Sequence, residues 1–201
     1  VVHLALAPQR KEPNHRSELV NQLLFGEQVE ILEQQENWSL VKNVHDQYQG
    51  WMQNSNLVVL NEKFPINWDA YKFCGEVNAM VTTEEGPMNL VIGSRLIDYG
   101  NNVFKINDWV YHSYCEIFEI DSKSFTDNLV RTAKMYLNSP YLWGGRSPFG
   151  IDCSGLTQMV FMLNGIQNPR DAVQQEKKKK KIPLGKAEAG DLAFFQNDEG
   201  K

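Results

Sequence analysis

The chain has 201 residues, of which 42% are apolar and 22% are charged, and its formal net charge at pH 7 is −5. This is the composition of an ordinary globular protein with enough apolar side chains to form a core, which excludes global disorder. The acidic balance argues against nucleic acid as the main partner. No apolar stretch approaches the roughly 18 residues needed to cross a bilayer, so we predict no membrane span.

The cysteine content argues against a zinc site or a disulfide framework. The chain has three cysteines, Cys74, Cys115 and Cys153, without CxxC or CxxH spacing, and we therefore expect no metal and no cofactor. Because the number is odd, at least one thiol is free, and a free thiol is a candidate nucleophile. The chain begins at Val1 instead of Met, which is compatible with the loss of a leader peptide.

The first sixty residues have the pattern of short β-strands. Apolar residues alternate in four segments, and turn-forming pairs such as Phe25-Gly26 separate them. The predicted strands are Val1–Ala5, Glu27–Glu33, Trp38–Val44 and Gly50–Met52. We predict that residues 1–60 form a small SH3-like β-barrel, because a closed barrel buries short strands without leaving exposed edges.

A second β-rich segment follows a short connection. Residues 61–76 lack the Gly, Ser or Pro content of a flexible tether and are predicted to form a packed connection. The strand pattern then returns, and we predict a second small SH3-like barrel over residues 77–121. Its predicted strands are Val77–Thr82, Asn89–Ile92, Arg95–Tyr99, Asn102–Ile106 and Trp109–Ile120.

After residue 121 the spacing of apolar residues becomes helical. One predicted helix begins after Ser122 or Ser124, either of which can cap it, and ends before Pro140. A second predicted helix begins at Cys153 and ends at the cap Asn164-Gly165. Residues 191–196, DLAFFQ, are predicted to form a strand. Residues 122–201 therefore have the elements of an α+β domain.

The glycine-rich segment from Tyr141 to Gly155, YLWGGRSPFGIDCSG, is the most informative part of the sequence. Its glycines allow the backbone to fold sharply or to approach a ligand closely. Cys153 follows at once and opens a helix, where unpaired amides and the helix dipole stabilise a thiolate. A buried structural cysteine is the alternative, but the position favours a nucleophile.

This segment resembles the cysteine motif of the NlpC/P60 cell-wall peptidases, a papain-like group that cuts peptidoglycan stem peptides. Two later segments are similar in order and spacing, PRDA at residues 169–172 and GDLAFF at residues 190–195. The N-terminal segment LFGEQVEILEQQENWSLVKN resembles bacterial SH3 domains. Two such barrels before the catalytic domain are similar to γ-D-glutamyl-L-diamino-acid dipeptidyl-peptidases. The resemblance implies two SH3-like barrels followed by an α+β papain-like domain, truncated at its C-terminus.

The resemblance also implies roles for residues of the catalytic domain. Cys153 matches the nucleophile, which attacks the γ-D-glutamyl carbonyl and forms a thioester. Asp152 matches a carboxylate that pairs with the free amine of the substrate's L-alanine, and Arg170 matches a group that holds a substrate carboxylate. Ser154 and Tyr141 match positions that line the same pocket.

Two further residues are expected from the first barrel. Tyr48 is expected to close the amine-binding end of the pocket, and Glu12 is a more speculative partner there. The implied substrate is a stem peptide, L-Ala-γ-D-Glu followed by diaminopimelate or lysine. A barrel that caps the groove would exclude N-acylated strands by sterics and by leaving a buried carboxylate unpaired. We expect a monomer, located in the cell envelope if exported or in the cytoplasm if it recycles imported peptides.

The catalytic base is expected from a histidine beyond Lys201, so the sequence reads as part of a longer gene product. None of the four histidines is assigned to catalysis. His15 and His45 are expected to be solvated loop residues, and His112 is expected to be a structural residue in a strand. Two alternatives to the peptidase remain. One is an inactive peptidoglycan-binding protein of the same architecture, and the other is an acyltransferase or amidase acting on another γ-glutamyl substrate.

Overall fold

A computed structural model describes residues 1–61, 71–119, 124–178 and 180–195 of the chain. The first unit is a five-stranded antiparallel sheet with the strand order β2-β1-β5-β4-β3. Its strands are β1 (Leu6–Arg10), β2 (Leu19–Leu24), β3 (Val29–Gln34), β4 (Trp38–Asn43) and β5 (Gln49–Gln53). A small core of Val2, Ala7, Leu23, Val41 and Met52 lies inside this unit.

The first unit differs from its prediction at the N-terminal side. The first strand is Leu6–Arg10 instead of Val1–Ala5, and the strand Leu19–Leu24 was not predicted. The sequence LVNQLL does not show a strand pattern, because the inward-facing position at residue 21 is a polar asparagine, Asn21, and not an apolar residue. That side chain is satisfied inside the sheet, since its Nδ2 donates to Gln9 Oε1 at 2.9 Å and Gln9 Nε2 in turn donates to Asn43 Oδ1 at 3.1 Å.

The second unit contains a four-stranded antiparallel sheet with the order β10-β11-β7-β8 and a separate pair, β6-β9. Its strands are β6 (Tyr71–Phe73), β7 (Asn78–Thr83), β8 (Gly86–Val91), β9 (Arg95–Ile97), β10 (Val103–Ile106) and β11 (Trp109–Ser113). Residues 71–73 were predicted to lie in a connection. They instead form a strand that pairs with β9 and satisfies the backbone hydrogen-bonding groups at the edge of β9. Residues 62–70 of the predicted connection lie outside the described residues.

The two β units share a core. Phe25 of the first unit inserts into the second unit, where it makes edge-on contacts with Phe104 and Tyr111, which stack on each other at 4.8 Å. All three rings are buried, and aromatic contacts of this kind contribute beyond the burial of their area. The two units are therefore packed against each other.

The helical part consists of α1 (Phe125–Lys134), a short hairpin of β12 (Arg146–Ser147) and β13 (Gly150–Ile151), α2 (Cys153–Leu163) and α3 (Ala172–Lys177). Of the two predicted caps of α1, Ser124 accepts from the amide of Asp127, whereas Ser122 lies outside the described residues. Helix α2 is buried along most of its length between α1 and the second unit. Residues 191–196 were predicted to form a strand; residues 191–195 make no strand pairing among the described residues, and Gln196 lies outside the described residues.

Candidate active site

Cys153 is the first residue of α2 and the only exposed cysteine of the three. Asp152 precedes it as the helix cap, with its Oδ1 accepting from the amide of Gly155 at 2.6 Å. The capped N-terminus places the sulfur at the positive end of the helix dipole, which favours an anion. An exposed thiol in this position is suited to nucleophilic attack.

The glycine-rich loop before Cys153 is packed too closely for side chains. A Cβ atom on Gly144, whose φ is +78°, would lie 2.6 Å from the carbonyl oxygen of Leu19, and one on Gly155 would lie 2.3 Å from that of Gly145. Glycine is therefore required where the loop crosses the first unit and where α2 begins. These contacts fix the position of the β12-β13 hairpin that leads into Cys153.

Asp152 and Arg170 form a buried bidentate ion pair beside the thiol. Arg170 donates from Nη1 to Oδ1 at 3.0 Å and from Nη2 to Oδ2 at 2.7 Å, and Nη1 also donates to Ser154 Oγ at 2.8 Å. Burial raises the pKa of Asp152, but the hydrogen bonds and charge of Arg170 and the amides of Gly155 and Gly144 outweigh it and lower that pKa. The carboxylate beside the Cys153 thiol is therefore ionised, and Arg170 balances its charge.

This ion pair differs from the roles expected from the sequence. Asp152 was predicted to bind a substrate amine and Arg170 a substrate carboxylate, but in the structure they bind each other. Both oxygens of Asp152 also accept from backbone amides, of Gly155 and Gly144, and Arg170 is only 2% exposed. A substrate amine would have to share this carboxylate with Arg170, so both roles stay predictions.

The first unit reaches directly into the site. Arg170 Nε donates to Asn21 Oδ1 of β2 at 2.7 Å. Arg170 thereby joins the buried hydrogen bonds that link Asn21 to Gln9 in that sheet. Tyr48 is half-buried and lies against the carboxylate of Asp171, and burial together with that charge raises the pKa of Tyr48 to about 12. Tyr48 thus lies beside Arg170 and Asp171 in the structure. Its role toward a substrate stays a prediction.

The remaining predicted residues lie at the rim or away from this centre. Tyr141 is 69% exposed and its backbone pairs with Ile151, two residues before Cys153. Glu12 is exposed in the loop between β1 and β2, where its amide donates to Ser17 Oγ at 2.9 Å. A different carboxylate of the first unit, Glu18, contacts the glycine-rich loop by accepting from Trp143 Nε1 at 2.9 Å. Glu18 was not identified from the sequence, because the segment LVNQLL that follows it lacks the regular alternation that would mark the start of a strand.

A buried charge cluster joins all three parts of the structure behind the hairpin; it consists of Glu27, His45, Asp46, Arg95 and Arg146. Arg146 of the hairpin donates to Glu27 at 2.8 and 3.0 Å, and Glu27 also lies 3.6 Å from Arg95 of the second unit. Burial raises the pKa of Glu27, but the neighbouring cations outweigh it and hold this pKa at about 2.

The cluster corrects the expectation that His45 is a solvated loop residue. Its side chain is 4% exposed, and Nε2 lies 3.2 Å from Asp46 Oδ2. Although Asp46 is buried, the charge and hydrogen bond of His45 hold its pKa well below the usual range. Asp46 in turn accepts from Gln158 Nε2 of α2 at 2.9 Å. The loop is buried because α2 packs on it, which local sequence does not reveal.

The other histidines lie in the β-rich units. His3 contacts Trp109, and His15 contacts Trp38. His112 is exposed on β11, so its predicted structural role is not supported by burial. Within residues 1–61, 71–119, 124–178 and 180–195, no group of three or more His, Cys, Asp or Glu side chains could hold a metal ion. No helix formed by these described residues is long and apolar enough to span a membrane.

Comparison with known families matches two parts of the chain. Residues 138–201 match the NlpC/P60 family, and residues 10–57 match the bacterial dipeptidyl-peptidase SH3 domain. Both matches confirm the resemblance seen in the sequence. The barrel predicted for residues 77–121 stays a prediction.

Comparison with individual proteins extends over nearly the whole chain. A dipeptidyl-peptidase 6 from Lysinibacillus sphaericus is 30% identical, and the alignment covers 97% of this chain and 80% of that relative. A gamma-D-glutamyl-L-lysine dipeptidyl-peptidase from Bacillus subtilis is 31% identical over 90% of this chain and 65% of the relative. The chain thus spans just under two thirds of the second protein. A crystal structure of an NlpC/P60 family protein from Bacillus cereus has a TM-score of 0.81 at 21% identity, covering 100% of this chain and 83% of that chain, which shows a shared fold.

Proposed function

Because the chain belongs to the NlpC/P60 family of cell-wall peptide hydrolases, we propose that it hydrolyses the bond between γ-D-glutamate and the following L-diamino acid of peptidoglycan stem peptides. The observation that carries this proposal is the exposed Cys153 at the capped N-terminus of α2. The relatives named as dipeptidyl-peptidases support the type of bond. Diaminopimelate and lysine are both suitable diamino acids.

The proposed chemistry is covalent catalysis by a thiolate. A histidine base, as the family resemblance implies, takes the proton of Cys153, and the sulfur attacks the γ-carbonyl carbon of D-glutamate. The amides at the start of α2 stabilise the oxyanion that forms. Collapse of this intermediate breaks the C–N bond, the amine of the diamino acid leaves with the proton, and a thioester remains. Water then hydrolyses the thioester and regenerates the thiol.

The arrangement of charges supports a stabilising role for Asp152 in this reaction. An unpaired carboxylate next to the nucleophile would raise the thiol pKa and oppose thiolate formation. Arg170 balances that charge through two hydrogen bonds of 3.0 and 2.7 Å. We therefore propose that Asp152 holds the helix start and the loop in place, and that any pairing with the substrate amine is shared with Arg170.

Selectivity for a free amino end is proposed to come from the first unit. Tyr48 and Asp171 lie together next to Arg170. Glu18 accepts a hydrogen bond from Trp143 of the glycine-rich loop. We propose that these residues close one side of the substrate site, where their carboxylates suit a short peptide with an ammonium terminus. A protein with this preference acts on released peptides, either in the cell envelope or during recycling in the cytoplasm. We propose that it works as a monomer.

The experiment compares L-Ala-γ-D-Glu-diaminopimelate with its N-acetylated form, using the complete product of the gene and its Cys153→Ala variant. The wild type should cleave the free peptide, and acetylation should lower kcat/KM at least about 100-fold because it removes the charge that the site recognises. Cys153→Ala should reduce hydrolysis to background, whereas Cys115→Ala, a matched removal of a buried thiol, should retain it.

Each part of the proposal has an outcome that refutes it. Hydrolysis by the Cys153→Ala variant would exclude the thiolate mechanism. Equal cleavage of the acetylated peptide would exclude recognition of the amine. Retention on peptidoglycan by wild-type protein that cleaves neither peptide would identify an inactive binding protein.

A further inference from the structure

Two cysteines that the proposed chemistry does not use lie side by side in the second unit. Cys74 follows β6 and Cys115 follows β11, and both belong to the same buried core. The two thiols are close enough for each to shift the pKa of the other. Their position in different segments means that a bond between them would join two parts of the chain.

Backbone pairing holds the two segments in register. Cys74 pairs with Ile117 in an antiparallel bridge, the amide of Gly75 donates to the carbonyl of Glu116 at 2.8 Å, and the amide of Phe118 donates to that of Phe73 at 2.8 Å. In this register Cys115 is the diagonal neighbour of Cys74 on the same face of the pair. The thiols are thus brought together by the fold.

The two thiols have different surroundings. The hydroxyl of Ser113 donates to Cys115 Sγ at 3.0 Å, and the thiol of Cys74 donates to the carbonyl of Glu76 at 3.7 Å. Cys115 is 7% exposed and lies between two exposed residues, whereas Cys74 is fully buried. The hydrogen bonds of Cys74 and Ser113 lower the pKa of Cys115, while the hydrogen bond to Cys115 and burial raise that of Cys74. Cys115 is therefore the thiol that reacts first.

We propose that Cys74 and Cys115 form a redox-active dithiol, which reaction with a small-molecule disulfide converts into an intramolecular disulfide. The Cys115 thiolate attacks one sulfur of the oxidant, forming a mixed disulfide and releasing one thiolate. The Cys74 sulfur then attacks Cys115 Sγ, its proton passes to the second departing thiol, and the new S–S bond closes. The protein loses two electrons and two protons, and the oxidant is reduced to two thiols.

The product would fasten the segment after β11 to the segment after β6. Closing the loop from residue 74 to residue 115 restricts the unfolded chain, and disulfides of this kind stabilise proteins. Cys153 has no part in it, because it lies at the start of α2 and outside this core. Oxidation would therefore brace the second unit and leave the nucleophile as a thiol.

The test treats the folded Cys153→Ser protein, which has only these two thiols, with oxidised glutathione at neutral pH. Intact mass should show the loss of two hydrogen atoms without bound glutathione, and peptide mapping should show the two cysteines linked. The melting temperature should rise by about 5 °C or more and return on reduction with dithiothreitol. Maleimide labelling after unfolding should find no free thiol.

Single variants in the same background test the order of attack. Cys74→Ser should stop at the mixed disulfide, with one glutathione bound to Cys115, because the second thiol is missing. Cys115→Ser should stay unmodified over the same period. Two free thiols in the treated parent protein would overturn the proposal. Equal capture of glutathione by both variants would overturn the assignment of Cys115 as the attacking group.

Discussion

Replacing Glu27 by glutamine removes the central negative charge of the buried charge cluster. Glu27 is fully buried, and its carboxylate accepts from Arg146 at 2.8 and 3.0 Å and from the amide of Leu24 at 3.0 Å. Glutamine has a similar shape and retains one acceptor oxygen. The guanidinium of Arg146, which is also fully buried, would lose its nearest counterion. The substitution therefore changes charge with little change in volume.

The expected size of the effect comes from the ionisation of Glu27. Its pKa is held at about 2 instead of 4.5, a difference that corresponds to about 3 kcal/mol in favour of the folded carboxylate. Removing one partner of a buried ion pair costs about 3 to 5 kcal/mol, which agrees. We expect Glu27→Gln to lower the free energy of unfolding by about 3 kcal/mol and the melting temperature by about 5 to 10 °C.

The assay is thermal unfolding followed by circular dichroism, with Glu30→Gln as the control. Glu30 is paired with Lys42 on the surface, where its side chain is 57% exposed, and surface pairs contribute about 1 kcal/mol at most. The control should therefore unfold close to the wild type. If Glu27→Gln also unfolds within about 2 °C of the wild type at pH 7, the charge cluster does not stabilise the contact between the three parts of the structure, and the reasoning is wrong.

The pH dependence gives a second check on the same variant. A carboxylate whose pKa is lowered on folding contributes stability that is complete above its unfolded pKa and is lost as the pH falls toward its folded pKa. For Glu27 this window extends from about pH 4.5 down to about pH 2. The difference between wild type and Glu27→Gln should be constant from pH 6 to 8 and shrink below about pH 4.5. A difference that persists unchanged to pH 3 would contradict the proposed electrostatic origin.

Two further substitutions probe the candidate active site. Arg170→Lys cannot reproduce the paired hydrogen bonds to Asp152. We expect thermal unfolding to show a free energy of unfolding lower by about 2 to 4 kcal/mol, and peptide hydrolysis to show a kcat/KM lower by about 10-fold or more. Unchanged values in both assays would contradict a positioning role. Gly155→Ala places a Cβ 2.3 Å from the carbonyl of Gly145, so it should cost about 1 to 3 kcal/mol and impair hydrolysis. Gly185→Ala, where a Cβ meets open space, is the control, and equal effects of the two would refute the steric argument.

The local features of helix α2 could be predicted because they depend on neighbouring residues. Helix α2 begins at Cys153 and is followed by Gly165 with a φ of +81°, as the cap sequence indicates. Ser124 caps α1 for the same reason. Capping, helical periodicity and the need for glycine in tight turns act over a few residues. The start of α2 at Cys153 and the glycine-rich loop before it were therefore apparent from the sequence.

Pairing between distant segments could not be predicted from these local patterns. The strand Leu19–Leu24 contains a buried asparagine that only the sheet satisfies. His45, in a polar loop, is buried only because other parts of the chain cover it. Residues 71–73 form a strand because β9 lies beside them. In each case the decisive partner is remote in sequence, and local propensity carries no information about it.

A contiguous motif was enough to predict the helix that begins at Cys153, to propose its thiol as the nucleophile and to indicate the family. The charge partners around that motif come from segments that are distant in sequence. The tertiary structure paired Asp152 with Arg170, joined Arg146 to Glu27 and brought Cys74 next to Cys115. The physical reason is that a buried charge or thiol takes its partner from whichever segment the fold places beside it.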